Sequence, residues 1–318
     1  MDRARQRPLR LEAGQTIGLI SPSGPTATAG GATTPEQLAA ARVRLAEAGF
    51  PTVVAPHALD VRGYLAGEDS GRLADLHAMF MEPAVRAVLC IRGGYGAMRL
   101  LDAVDYDLIR RHPKVFIGYS DITALHLALH HRAGLVTFHG PMVSAIAASG
   151  DHDVGQLLRA ITRPQPLGPL TNPPDGPEIE TLVPGTAEGV LLGGNAAVMT
   201  SLLGAPYLPS FEGAVLFLED ILDHTYRLDR KIVHLRLAGV LERVAGIVVG
   251  ETRVRGEPGD QGLSIRQILD DLIVPLGKPA IYGLACGHGA YHLTLPIGVR
   301  ARLDAGRGVL SIEEAAVT

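Results

Sequence analysis

Three kinds of side chain that cooperate in nucleophilic hydrolysis stand at the ends of apolar runs in this sequence. Ser120 follows Val115 to Ile117 in VFIGYSDITALHLALHH, Glu219 and Asp220 follow AVLFL, and His288 stands between glycines in ACGHGAYHL. A serine hydroxyl is a weak nucleophile until a base takes its proton, and an imidazole serves as that base when a carboxylate orients its other nitrogen. The chain order serine, acid, histidine is the one that α/β-hydrolases use. Each residue also has a plain structural reading. Ser120 or Asp121 suits the N-cap of the helix that follows. The G-x-S-x-G pattern of a nucleophile elbow is incomplete, because Ile122 stands where its second glycine belongs. Glu219 and Asp220 read equally as a solvated strand end, and His288 as a solvated loop histidine.

The stretch CIRGGYGAMRLLD places Gly93, Gly94 and Gly96 between an apolar run and a helical one. Its spacing is not G-x-G-x-x-G and no P-loop lysine follows, so it is a tight turn or a nest of backbone amides beside a reacting group. His126 and His130 are four apart on the helix after Ser120. Without a neighbouring glutamate or a third ligand they read as ordinary helix residues rather than a metal site. Cys90 and Cys286 make no metal pair, and Cys90 within AVLCI reads as a buried small hydrophobe. The expectation is an enzyme needing neither metal nor cofactor. None of the lysines, at 114, 231 and 278, has a serine three residues before it, which removes the S-x-x-K arrangement.

These residues need strands to carry them. In the first half, the apolar runs TIGLI, TVVA, AVLCI, VFIGY and LVTFHG alternate with helical stretches such as PEQLAAARVRLAEAGF and SGRLADLHAMFM. The alternation predicts a doubly wound parallel sheet, with Ser120 on a turn at a strand's carboxyl end, where ligands bind in open α/β sheets. Proline is dense between Arg163 and Gly185, which reads as a linker over 166–186 between a domain of residues 1–165 and one of 187–318. In the second part EGVLLGGN, AVLFLED, GIVVGE, PAIYGLACG, VRARLDA and GVLSIEE suggest a β-rich α/β domain, with helices over 226–238 and 265–273. No internal repeat of fixed period occurs.

The chain has 318 residues, 47% of them hydrophobic, and a formal charge of -4. That is enough for two cored domains, and it supplies no basic field for nucleic acid or an anionic membrane. The apolar segment Ile17 to Ile20 is too short for a signal peptide and no run reaches membrane-spanning length, so the expected location is the cytoplasm.

Several ordered motifs together resemble the LD-carboxypeptidase family of serine peptidases, which includes the microcin C immunity hydrolases. They are IGLISPSGP, IRGGYGAMRLL, FIGYSDITALH, TFHGPM, the GGN ending at Asn195, LFLED followed by YRLDR, and GHG around His288. The resemblance implies a flavodoxin-like N-terminal domain carrying the nucleophile Ser120 and a β-rich C-terminal domain carrying the acid Glu219 and base His288, with the site between domains. It implies an oxyanion hole from the backbone amides of Asp121 and Gly94. Asp223 stands where relatives often carry glutamate. The implied reaction releases terminal D-alanine from a muropeptide tetrapeptide by cutting an L,D amide through an acyl-enzyme. The implied partner is a small peptide substrate, with a homodimer left open. Arg92, Arg227 and Arg230 are near enough to the motifs to meet a substrate carboxylate, and each reads equally as a structural ion-pair partner. Two alternatives stay open. One is an immunity-type hydrolase acting on a peptidyl or aminoacyl nucleotide, against which stands the lack of any aromatic between Gly140 and Pro206. The other is a noncatalytic small-ligand binder in which Ser120 only caps.

Overall fold

The structure is a computed structural model that describes residues 4–26, 33–148, 151–222, 224–254 and 262–318. The chain divides into two units: residues 1–165 with 294–296 and 316–318 in the first, and 166–293 with 297–315 in the second.

The first unit alternates β1 (Thr16–Ile20), α1 (Pro35–Glu47), β2 (Thr52–Val54), α2 (Asp69–Met81), β3 (Val85–Cys90), α3 (Tyr106–Arg111), β4 (Val115–Gly118), α4 (Thr123–Ala128), β5 (Thr137–His139), α5 (Val143–Ala148) and α6 (Asp151–Thr162). Local chemistry sets the helix starts. In α1, Thr34 and Gln37 form a reciprocal capping box and Pro35 takes the first turn, where its missing N–H costs nothing. Apart from the edge strand β2, the strands are short, apolar and buried on both faces, as a sheet covered by helices on each side requires. They run parallel in the order β2-β1-β3-β4-β5. That is the flavodoxin-like order, whose switch point lies between the carboxyl ends of β1 and β3. Phe80 of α2 stacks on Phe116 of β4, ring centroids 6.1 Å apart, and both are fully buried. Each such burial contributes about 1.5–3 kcal/mol.

The second unit holds β6 (Gly168–Leu170), β7 (Glu180–Val183), β8 (Thr186–Asn195), α7 (Ala196–Ser201), β9 (Val215–Leu222), α8 (Tyr226–Leu237), α9 (Val240–Arg243), β10 (Gly246–Val254), α10 (Ile265–Leu272) and β11 (Ala280–Leu284). After β12 (Leu295–Ile297) come β13 (Arg300–Asp304) and β14 (Val309–Ile312). Among the described residues its sheet is eight-stranded, in the order β6-β14-β13-β8-β9-β10-β11-β7. The centre, β8 to β11, is parallel, and the flanks are antiparallel.

Two departures from the sequence reading concern chain organisation. The proline-rich 166–186 stretch reads as a linker but lies in the second unit and supplies both edge strands, β6 and β7. Asn172 pins it, donating to the carbonyls of Pro177 at 2.7 Å and Gly283 at 2.8 Å and accepting from Ala285 N at 2.8 Å. The C-terminal stretch is also not confined to one unit. Strand β12 joins the edge of the first sheet beside β5, and Thr318 exchanges backbone hydrogen bonds with Pro8 and Arg10. Among the described residues no helix is long and apolar enough to cross a membrane.

Candidate active site

In the first unit, β4 ends at Gly118 and the backbone reverses sharply. Tyr119 is extended, with φ -153 and ψ -173, and Ser120 turns to φ 63 before a short 3-10 turn over Ser120–Ile122 enters α4. Among the described residues Ser120 is the only non-glycine with positive φ. L-residues pay for that conformation in backbone strain, and such strain clusters at functional sites. It is the strand-to-helix geometry of a nucleophile elbow. The helix-cap reading fails for both candidates. The N-cap positions of the 3-10 turn and of α4 fall on Tyr119 and Ile122 instead, and the Asp121 carboxylate accepts from Ser23 Oγ at 2.5 Å and Ala97 N at 2.8 Å.

The incomplete elbow pattern has a packing reason. A Cβ added to Gly118 would meet Ile122 Cγ2 at 2.8 Å, so the Ile122 side chain fills the space that the glycine leaves. Behind the turn, buried His126 donates from Nε2 to the Gly118 carbonyl at 2.8 Å, and burial pushes its pKa down to about 3. His126 is therefore a neutral brace on the strand end. Among the described residues no group of three or more metal-ligating side chains occurs.

The glycine loop after β3 reaches the same turn. A Cβ on Gly93 would stand 2.9 Å from Ser120 Cβ and 3.2 Å from its Oγ, so only glycine permits this approach. Gly94, with φ 119, packs instead against the backbone of Gly24, and the Gly24 amide donates to the Gly93 carbonyl at 3.1 Å. Arg92 does not project as a ready carboxylate clamp. Its guanidinium donates to the carbonyls of Pro25 at 3.0 Å and Gly93 at 3.2 Å, and burial lowers its pKa. Arg230 lies over the Tyr226 ring at 5.9 Å.

In the second unit, β9 carries Glu219 and Asp220 to its carboxyl end, and strand alternation sends them opposite ways. Glu219 is 1% exposed; its Oε2 accepts from His288 Nδ1 at 2.7 Å and its Oε1 from Asn195 Nδ2 at 3.1 Å. Asp220 turns to Lys231 of α8 at 2.6 Å, and burial raises its pKa against that pairing. Glycine around the histidine is again a matter of room, because a Cβ on Gly287 would stand 2.6 Å from the Glu251 carbonyl and 3.2 Å from Glu219 Oε2. With Nδ1 committed to a carboxylate, the imidazole keeps its lone pair on Nε2, the arrangement a general base needs.

Thus Ser120, Asp121 and the Gly93–Gly94 pair belong to the first unit, and Glu219 with His288, in direct contact, to the second. Asp223 lies outside the described residues. Asn195 and Ser23 stand in the GGN and SPSGP motifs, to which the sequence alone assigns no task; in the structure Asn195 ends β8 directly beside Glu219 in register.

Family models bear on this geometry. Residues 17–140 match the LD-carboxypeptidase N-terminal domain and residues 188–303 the LD-carboxypeptidase C-terminal domain. The chain belongs to the LD-carboxypeptidase family. As a member of that family it is an enzyme, a serine hydrolase of the carboxypeptidase type, and the noncatalytic binder is set aside. It is 40% identical over 321 residues to a probable murein peptide carboxypeptidase of Bacillus subtilis, covering 96% of this chain and 94% of that protein. Among solved structures, it is similar to the microcin C7 self immunity protein MccF in its inactive-mutant apo state, with a TM-score of 0.89 and 26% identity over 98% of this chain and 99% of that one. It is also similar to the muramoyltetrapeptide carboxypeptidase of Oxalobacter formigenes, with a TM-score of 0.79 and 27% identity over 95% of this chain and all of that one, at 100%. The family's two-domain α/β architecture is the one described above.

Proposed function

We propose that this LD-carboxypeptidase removes terminal D-alanine from muropeptide tetrapeptides in the cytoplasm, using Ser120 as nucleophile, His288 as base and Glu219 as the group that orients the base. In this reading His288 Nε2 takes the Ser120 proton as Oγ attacks the L,D amide carbonyl, and the amides of Asp121 and Gly94 receive the developing oxyanion. The imidazolium then returns its proton to the departing D-alanine nitrogen, leaving an ester on Ser120. Water, deprotonated by the same imidazole, cleaves the ester and restores the hydroxyl. The observation that carries the reading is the left-handed backbone of Ser120, φ 63, at a strand-to-helix turn with the Gly93 backbone against its side chain. The Glu219–His288 contact supports the assignment of acid and base.

A second substrate class has one observation in its favour: solved structures similar to this chain include MccF in complex with aspartyl sulfamoyl adenosine. The lack of any aromatic from Gly140 to Pro206 favours the muropeptide. Incubation with a tetrapeptide, a pentapeptide and an aminoacyl-nucleotide analogue, with products followed by mass, tests the choice. Loss of one D-alanine from the tetrapeptide alone is the expected result; turnover of the nucleotide analogue alone overturns it.

A further inference from the structure

The SPSGP segment after β1 has no part in the chemistry so far, yet one of its side chains reaches the nucleophile turn. Ser23 is wholly buried and donates from Oγ to Asp121 Oδ2 at 2.5 Å. The same carboxylate oxygen accepts the Ala97 amide at 2.8 Å, at the start of the 3-10 turn Ala97–Leu100 after the glycine loop. One oxygen therefore joins segments that leave the sheet from β1, β3 and β4, all within the first unit. Arg72, buried beneath them, donates to the carbonyls of Pro22, at 2.5 Å, and Gly96, at 3.0 Å, the residues immediately before Ser23 and Ala97. Both donors to Asp121 are thus themselves anchored.

We infer that the Asp121 carboxylate, bound by Ser23 and Ala97, is a positioning group that holds the Ser120 turn in its reactive conformation. The inference rests on the assignment of Ser120 as nucleophile. A left-handed serine relaxes unless its surroundings over-determine it. Asp121 is the next residue, so fixing its side chain to two other strand ends fixes the peptide joining 120 to 121, whose N–H is the amide assigned to the oxyanion. Packing alone does not account for the arrangement. A carboxylate that is 6% exposed carries a desolvation cost, and burial does raise its pKa, so an apolar residue would fill the space more cheaply. What the carboxylate adds is direction: two short hydrogen bonds converge on one oxygen and set its place to a fraction of an ångström.

The test measures kcat and KM for D-alanine release from the tetrapeptide by wild type, Ser120→Ala, Ser23→Ala, Asp121→Ala, Asp121→Asn and the Ser23→Ala/Asp121→Ala double variant, with folding followed by circular dichroism and thermal melting. Ser23→Ala is expected to lower kcat about tenfold with KM within about threefold, because it loosens geometry rather than binding. Asp121→Ala lowers kcat about a hundredfold, and Asp121→Asn recovers part of that, its amide oxygen accepting the same two donors. Adding Ser23→Ala to Asp121→Ala causes no further loss, the signature of a shared interaction. Wild-type kcat in Ser23→Ala, or losses that multiply in the double variant, overturns the inference. Should Asp121→Ala fail to fold, Ser23→Ala decides alone: a kcat about tenfold down with KM kept supports the inference, and wild-type kcat overturns it. Turnover persisting in Ser120→Ala removes the nucleophile assignment and this inference with it. An inactive Ser120→Ala beside a fully active Ser23→Ala removes this inference alone.

Discussion

His288 donates from Nδ1 to Glu219 Oε2 across 2.7 Å, and the other oxygen of that carboxylate accepts from Asn195 at 3.1 Å. Two donors thus fix the carboxylate, and the carboxylate fixes the imidazole. Replacing Glu219 by Gln keeps the shape and removes the charge that steadies an imidazolium, so kcat falls by about 10²–10⁴ with little change in KM. Steady-state release of D-alanine measures it, and an unchanged kcat removes Glu219 from the proposed mechanism.

Ser120→Ala and His288→Ala each lower turnover by roughly three to six orders of magnitude, and the double variant is no worse than either single one, because members of a catalytic unit fail together. Single-turnover assays on folded protein check both statements. Losses that add in the double variant contradict a shared step.

The backbone of Ser120 predicts a trade between stability and activity. At φ 63, glycine relieves a conformation that alanine retains, so Ser120→Gly is more stable than Ser120→Ala by about 1 kcal/mol while both are inactive. Urea denaturation of the two variants compares them directly, and equal midpoints would show that the turn stores no strain.

Gly93 limits how the glycine loop approaches Ser120. Gly93→Ala puts a methyl 2.9 Å from Ser120 Cβ, so one of the two segments must move. A displacement of about 1 Å costs kcat about a hundredfold. Kinetics beside a thermal melt separate this from unfolding: kcat should fall much further than the folded fraction.

Acid should weaken the first unit through His126. Its folded pKa of about 3 lies below the ordinary histidine value of 6.5, so below pH 6.5 the unfolded chain binds the proton that the folded chain refuses. Stability from this group is complete above pH 6.5 and declines as pH falls towards 3, by up to about 1.4 kcal/mol per pH unit. His126→Gln keeps a donor for the Gly118 carbonyl and does not titrate. Its unfolding free energy should therefore fall less than that of wild type between pH 7 and pH 5, measured by urea denaturation.

Much of the first unit is legible in sequence because each strand is a short apolar run followed by a helix of its own period, and that alternation admits few topologies. The same logic brings Ser120 to a strand end. It does not reveal the strain there, since the positive φ at Ser120 goes with the approach of Gly93 and with hydrogen bonds to Asp121 from Ser23 and Ala97, residues distant in sequence. Glu219 and Asp220 look interchangeable until the strand sends one to His288 and the other to Lys231. The 166–186 stretch is misread for a definite reason. Proline argues against a central strand, but β6 pairs through Pro169 on a sheet edge, where the missing N–H is harmless. Strand β12, with Pro296, sits on an edge in the same way.

That late strand has a consequence for synthesis. Residues 295–297 complete the first sheet, yet the ribosome makes them after nearly all of the second unit, so a nascent chain carries β5 as a bare edge throughout that interval. A fragment ending at residue 165 would keep that edge permanently and would lack the Thr318 tie to Pro8 and Arg10. Dividing the gene between the units should therefore yield two pieces that aggregate or associate rather than two independent domains.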